Sequence, residues 1–254
     1  MNLMWKSILI TGANRGIGKS LVLESIEKGA SKIYGTSRKE GSLDLNNNKV
    51  EEIIMEVRDI ESVKKAMNKI SSLDILINNA GVLHNVPILS EEEQLKYAKE
   101  EIEVNYLGPL NVCNIFWPLL AKNKSSDNKG VIVNVMSTLA KVTYPFCGTY
   151  CASKHATLAL TRGLRAQLKD LNIDVLEAYP GLTDTDMTKG LDHLPKVTPL
   201  KVAKKIITAI ENNQQEVYVG DDSIEMADHI LKDPKGAQDE ANQYMPDSLK
   251  IWFN

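Results

Sequence analysis

The sequence predicts an α/β protein: one doubly wound domain over residues 1–254, with a mostly parallel seven-stranded sheet flanked by helices. Three observations predict it. Short runs rich in Val, Ile and Leu alternate with segments of helical spacing. Those runs are continuously apolar, as strands covered on both faces are. A glycine-rich turn follows the first of them directly. Such alternation implies parallel strands joined by right-handed helical crossovers, with a ligand crevice outside their carboxyl ends.

Residues 7–10 read as the first strand, followed by helical spacing over 17–28. Residues 32–36, 52–57 and 74–78 read as strands two to four, with helical spacing at 62–70. Ser90 followed by Glu93 reads as a capping box opening a long helical region to Leu120. Gly108 and Pro109 are expected to bend or interrupt that region. The β-branched run 131–135 is a fifth strand, 149–168 a helix, 174–179 a sixth strand, 199–212 a helix and 217–219 a seventh strand. The segment 182–198 reads as a substrate loop, since long loops of little regularity often act as lids or binding loops. Residues 221–254 read as a less regular tail.

Composition narrows the function. With 43% hydrophobic and 25% charged residues the chain has the makings of an ordinary globular core. A net charge of −3 gives no general attraction to nucleic acid or to an anionic membrane. No uncharged apolar run has the length of a bilayer span, and the N-terminal apolar stretch runs straight into the glycine motif, unlike a signal peptide. The three cysteines, Cys113, Cys147 and Cys151, cannot all pair within the chain, and none has metal-ligand spacing with a histidine cluster. Reduced thiols in a cytoplasmic protein without a metal are expected.

The turn after the first strand reads Thr11-Gly12-Ala13-Asn14-Arg15-Gly16-Ile17-Gly18. Gly12 lets the chain turn tightly, Gly16 lets backbone approach a pyrophosphate, and Gly18 lets the helix pack close on the sheet. The helix N-terminus then offers free N–H groups and a favourable dipole to phosphate. A glycine triplet also occurs in plain turns; its place between first strand and first helix points to a dinucleotide. An NAD site would carry an acid at the end of the second strand, for the ribose 2′-hydroxyl. Here that end reads Thr36-Ser37-Arg38. Arg38 and, from the glycine turn, Arg15 can offer donors to a 2′-phosphate, which favours NADP(H) over NAD(H).

Tyr150 and Lys154 lie four apart on a helix and project from one face. A free tyrosine titrates near pH ~10, and a nearby ammonium favours its phenolate. The pair can give a proton to a developing alkoxide or take one from an alcohol. Ser137, at the carboxyl end of the fifth strand, can bond the substrate oxygen. Taken alone, a Tyr/Lys pair is as often a half-buried ring beside a solvated amine; its conjunction with the glycine turn is what carries the reading.

In these motifs the chain resembles the short-chain dehydrogenase/reductase family, in its subgroup of compact single-domain enzymes of Rossmann type. TGANRGIG at 11–18, NNAG at 78–81, Asn105, Ser137, YCASK at 150–154 and PGLTDT at 180–185 occur in family order. The resemblance implies catalytic roles for Ser137, Tyr150 and Lys154, with Lys154 also bonding the nicotinamide ribose. It implies that Asn105 holds a water linking Lys154 to solvent. It implies cofactor contacts from Gly12, Asn14, Arg15, Gly16, Ile17, Gly18, Arg38, Glu56, Val57, Asn79, Ala80 and Gly81, with Asn78 to Gly81 lining the adenosine ribose and stabilising the sheet. Pro180, Gly181, Thr183 and Thr185 would seat the carboxamide end. Glu56-Val57 replaces the family's usual Asp-Val at the adenine edge, and Met136 precedes the serine where a small polar residue is common. The glycine-rich final strand of many tetrameric members is missing, so a tetramer is not implied.

The expected activity is NADPH-dependent hydride transfer between the nicotinamide and a ketone, aldehyde or secondary alcohol. An NAD-linked alcohol dehydrogenase and a non-turning-over NADP(H) sensor are the alternatives; the epimerases that share the Tyr/Lys pair have a differently spaced glycine turn and longer chains. Substrate-side residues are expected from 84–87, 139–147 and 182–194, including Val86, Tyr144, Phe146, Leu191 and His193, as a largely apolar pocket. His84 and His193 read more simply as solvent-facing or hydrogen-bonded side chains than as proton donors. Cys147 and Cys151 flank Tyr150 with no sign of a depressed thiol pKa. A homodimer or larger assembly is expected, through the long helix and the Tyr150 helix.

Overall fold

The computed structural model describes residues 1–89, 94–122, 125 and 128–244. Its strands are β1 (Ser7–Ile10), β2 (Lys32–Ser37), β3 (Val50–Ile54), β4 (Ile75–Asn78), β5 (Gly130–Val135), β6 (Ile173–Pro180) and β7 (Glu216–Val219). Among the described residues they form one seven-stranded sheet in the order β3-β2-β1-β4-β5-β6-β7, and every pairing is parallel. The order reverses between β1 and β4, which is where a doubly wound sheet opens its ligand crevice.

Strand side chains alternate between two cores, as the period of two requires. Ile8, Ile10, Ile75, Ile77, Val131 and Val133 pack with Leu21 and Val22 of α1 (Gly16–Glu27) and with Val202, Ile206 and Ile210 of α6 (Pro199–Glu211). Leu9, Leu76, Ile132 and Val175 face the other way, onto Val63 of α2 (Ile60–Met67) and Val112, Phe116 and Leu120 of α4 (Gly108–Ala121). Both faces of the sheet are therefore dry.

Two further helices bound the crevice. The segment α3 (Gln94–Ile102) leads through a π turn at Glu103–Leu107 into α4. The interruption expected at Gly108 and Pro109 falls just ahead of them. Pro109 has no N–H to give the carbonyl four residues back, and the Gly108 N–H bonds Glu103 instead, so the Asn105 carbonyl is released from the helix ladder. The expected capping residues Ser90 and Glu93 lie outside the described residues. Next in the chain comes α5 (Gly148–Leu168), the longest of the described helices.

Two expectations are corrected. The third strand spans 50–54 rather than 52–57, because its ladder to β2 runs from Ile33–Val50 to Ser37–Ile54. Glu56 and Val57 thus follow the strand. The tail from Asp221 is not irregular: α7 (Asp221–Lys232) and α8 (Pro234–Asn242) occupy most of it. Met226 and Ile230, with Ala237 and Ala241, bury against Val142 and Tyr144. No helix among the described residues is long and apolar enough to cross a membrane.

Candidate active site

The glycine turn leaves β1 with Gly12 at φ +65° and Gly16 at φ +53°, where a side chain would be strained. A Cβ on Gly18 would lie 2.1 Å from the Gly12 carbonyl oxygen, so only glycine lets α1 start this close to the turn. Arg15, the residue ahead of α1, makes no side-chain cap. The first N–H groups of α1 therefore face the crevice uncapped, an arrangement that fits a pyrophosphate. Asn79 braces the turn from β4: its Nδ2 donates to the carbonyls of Thr11 (2.9 Å) and Gly12 (3.2 Å), while the N–H groups of Asn79 and Ala80 bond Thr11 Oγ1. Asn78 points into the interior instead, where its Nδ2 meets Asn134 Oδ1 at 2.8 Å.

The Ala13 N–H donates to the Thr36 carbonyl at 2.8 Å, fixing the turn against the end of β2 and the exposed Arg38. A residue the motifs do not mention organises the loop beyond Arg38. The Glu52 carboxylate accepts from Ser37 Oγ, Ser42 Oγ and the N–H groups of Gly41, Ser42 and Leu43. Burial works to raise its pKa, but these bonds outweigh it and hold the group below the usual carboxylate range. Arg15 is exposed and pairs at 3.5 Å with Asp186, in the segment after β6. Glu56 ion-pairs with Arg58 at 2.9 Å, on a residue the motifs also omit.

The catalytic candidates converge at the carboxyl ends of β4 and β5. Lys154 is buried, and its Nζ donates to the Val135 carbonyl at 3.3 Å. It lies 5.5 Å from the centre of the Tyr150 ring. A Cβ on Gly81 would sit 3.3 Å from Asn105 Oδ1 and 3.7 Å from Lys154 Nζ, so NNAG, Asn105 and Lys154 share one corner. Ser137 Oγ accepts the Leu139 N–H at 3.2 Å, and its own proton has no acceptor among the described residues. Leu139 packs in one apolar cluster with Tyr150, Tyr144, Phe146 and Leu83. The Tyr150 hydroxyl has no hydrogen-bond partner among the described residues.

Asn105 is bonded to protein at its amide nitrogen, its amide oxygen and its carbonyl. Its Nδ2 donates to the Val82 carbonyl and to Ser153 Oγ, each at 2.9 Å, and its Oδ1 accepts the Val82 N–H at 2.9 Å. The released Asn105 carbonyl accepts Thr157 Oγ1 at 2.7 Å. The π turn is thus bolted to α5 and to the segment after β4.

Burial alone pulls the Lys154 ammonium down to about 8. Burial also drives the Tyr150 phenol well above its ordinary value, with smaller contributions from Cys147, Cys151 and Glu101. The lowering expected from Lys154, whose amine lies 5.5 Å from the ring centre, does not offset this burial. Cys147 and Cys151 are both buried, their sulfurs 3.9 Å apart.

Beyond β6, Leu182 is held against α7: its N–H meets Asp222 Oδ2 at 2.7 Å, and the Gly181 N–H bonds the Val219 carbonyl at 2.7 Å. A Cβ on Gly181 would lie 2.0 Å from Asp222 Oδ1. Thr183 bridges Val197, and Thr185 caps the short turn Asp186–Thr188. His84 stacks on Tyr97 and bonds Glu100 at 3.1 Å, while His193 is exposed. Leu83, Met226, Ile230 and Tyr244 join the apolar side unannounced by the motifs. The i, i+4 spacing of Met226 with Ile230 was the available signal.

A dinucleotide turn and a buried Tyr/Lys pair around one crevice define a Rossmann-type oxidoreductase. Residues 6–195 match the short chain dehydrogenase family model, and the chain belongs to the short-chain dehydrogenase/reductase family. It is similar to the solved structure of a short chain dehydrogenase from Burkholderia cenocepacia J2315 in complex with NADP, at 32% identity and a TM-score of 0.88, covering 95% of this chain and 99% of that one. A short chain dehydrogenase/reductase from Burkholderia phymatum in complex with NAD shares the fold at 20% identity and a TM-score of 0.74, over 85% and 89% of the two chains. The 3-oxoacyl-acyl-carrier-protein reductase FabG of Thermotoga maritima is 31% identical over 210 residues, 79% of this chain and 83% of that protein. The protein is thus an oxidoreductase of this family that takes a nicotinamide dinucleotide.

Proposed function

We propose that the protein is an NADP(H)-dependent carbonyl reductase or alcohol dehydrogenase acting on a ketone, aldehyde or secondary alcohol, with Tyr150 as general acid/base. The observation that carries it is the convergence of Tyr150, Lys154, Asn105 and Gly81 on one corner of the crevice, beside a Ser137 hydroxyl free to donate. The bound nicotinamide would supply or accept the hydride. Ser137 orients the substrate oxygen. Tyr150, whose hydroxyl is uncommitted, gives that oxygen its proton or takes one from it. Lys154, charged below about pH 8, favours the phenolate when a proton must leave. A proton relay through Asn105 would run by its main-chain carbonyl, since both amide donors are spent. The apolar cluster of Leu83, Leu139, Tyr144 and Phe146 around Tyr150 suits an uncharged, largely apolar substrate.

The preference for NADP(H) rests on Arg15 and Arg38, both exposed beside the glycine turn, with no acid at the end of β2. A paired titration following nicotinamide fluorescence tests it. NADPH should bind at least tenfold more tightly than NADH, and Arg38→Ala should erase most of that margin while leaving NADH binding unchanged, since one charge-assisted pair is worth about 1.5–3 kcal/mol. Equal affinities in the wild type would overturn the preference, and binding of neither would overturn the enzymatic reading.

A further inference from the structure

A buried carboxyl group lies against the site without belonging to the machinery above. Glu101 sits in the last turn of α3 with no exposed surface. Among the described residues no Lys or Arg forms an ion pair with it. One oxygen, Oε1, accepts the His84 N–H at 2.7 Å. The other, Oε2, has no hydrogen-bond partner, and neither has the hydroxyl of Thr149, the residue next to Tyr150. The two orphans approach each other without meeting hydrogen-bond geometry. An ionised carboxylate in that position would be a buried charge with no ion-pair partner among the described residues, held by neutral donors alone. A carboxylic acid accepts from His84 on one oxygen and shares a hydrogen bond with Thr149 on the other, and leaves no uncompensated charge in the interior.

We propose that Glu101 is a positioning residue for Tyr150: held as a neutral carboxylic acid, it ties the segment after β4 to Thr149 at the start of α5. The groups facing it agree. His84, whose charge would favour ionisation, is spent on Glu100, Glu100 opposes a second negative charge, and no Lys or Arg among the described residues pairs with Glu101. Burial raises the pKa of Glu101 in the same direction. Its ionised form would also push the Tyr150 phenol higher, against the phenolate that alcohol oxidation needs. Neutrality therefore serves both the packing and the proton transfer.

The test uses the full chain with NADPH bound, as wild type, Glu101→Gln and Glu101→Leu. In the infrared difference between wild type and Glu101→Gln at neutral pH, the C=O stretch of a protonated carboxylic acid should belong to the wild type alone. Its absence would show an ionised Glu101 and overturn the proposal. Turnover rests on the oxidoreductase reading, so it forms a second arm, measured on a simple aryl ketone. Glu101→Leu should lower kcat by about tenfold, the scale of one lost buried hydrogen bond, with NADPH affinity unchanged. Glu101→Gln, which keeps an acceptor and a donor, should restore it. A Leu variant as active as the Gln variant would mean that the side chain only fills space. If the wild type reduces no carbonyl, that reading fails separately. Hydrogen exchange at the His84 amide then takes over the second arm: it should be slow in wild type and Gln and fast in Leu, and equal rates in all three would overturn the proposal.

Discussion

Replacing Tyr150 by Phe will cut turnover by about 10² to 10⁴-fold, the usual worth of a positioned acid or base, and leave dinucleotide affinity within twofold. The ring remains, so the apolar cluster with Leu139, Tyr144 and Phe146 keeps its volume. What disappears is a hydroxyl with no protein partner among the described residues. Removing it leaves no buried group unsatisfied, so folding stability should not fall. A structural tyrosine with a bonded hydroxyl would behave in the opposite way, losing stability and keeping activity. Steady-state kinetics, thermal unfolding and a fluorescence titration on the same two proteins separate these cases. A Phe variant within threefold of the wild-type rate would remove Tyr150 from the mechanism.

The second large effect is at Lys154, where catalysis and stability should move in opposite directions. Its ammonium is buried, and burial lowers its pKa from an ordinary 10.5 to about 8. Between those values the unfolded chain binds a proton that the folded protein does not, so stability rises with pH across that window. Below about pH 8 the cost is fully present, roughly 3 kcal/mol at about 1.36 kcal/mol per pKa unit. Lys154→Met keeps the unbranched apolar stem, ends one atom short and removes the charge. The variant should be inactive, and at pH 7 it should melt several degrees higher than the wild type, given about 2–4 °C per kcal/mol for a chain of this size. The difference should shrink as pH rises through 8 and vanish above 10.5. The lost bond to the Val135 carbonyl makes the gain an upper bound. A Met variant that melts lower at pH 7 would show that Lys154 is held by more than its function.

The strands, the phosphate turn and the Tyr/Lys pair were legible because side-chain type and spacing alone carry them. β-branched runs need both faces covered, and Gly12, Gly16 and Gly18 occupy positions where a Cβ would be strained or would collide. The missed features share a cause, which is polar residues buried by tertiary contacts. Glu101 stands in the run Lys99-Glu100-Glu101-Ile102-Glu103, which reads as a solvated helix face. Glu51 and Glu52 interrupt the apolar pattern of β3, so the strand was expected to start too late, although Glu52 turns back to hold the loop beyond Arg38. The helices α7 and α8 are short and carry one narrow apolar stripe each, so their burial against Val142 and Tyr144 was not apparent from composition. Asp222 escaped notice because its role depends on the path of the chain at Gly181.

The central claim is that a hydride passes between the nicotinamide and a carbonyl carbon beside Tyr150. The most direct test is to incubate the protein with NADPH carrying deuterium at both C4 positions and a panel of apolar ketones and aldehydes, then weigh the alcohols formed. The account predicts alcohols that gain one deuterium on carbon while the new hydroxyl proton comes from water, with at least about a hundredfold less product in the same time from the Tyr150→Phe variant. NADPH that binds in the crevice and transfers no label to any member of the panel would contradict it.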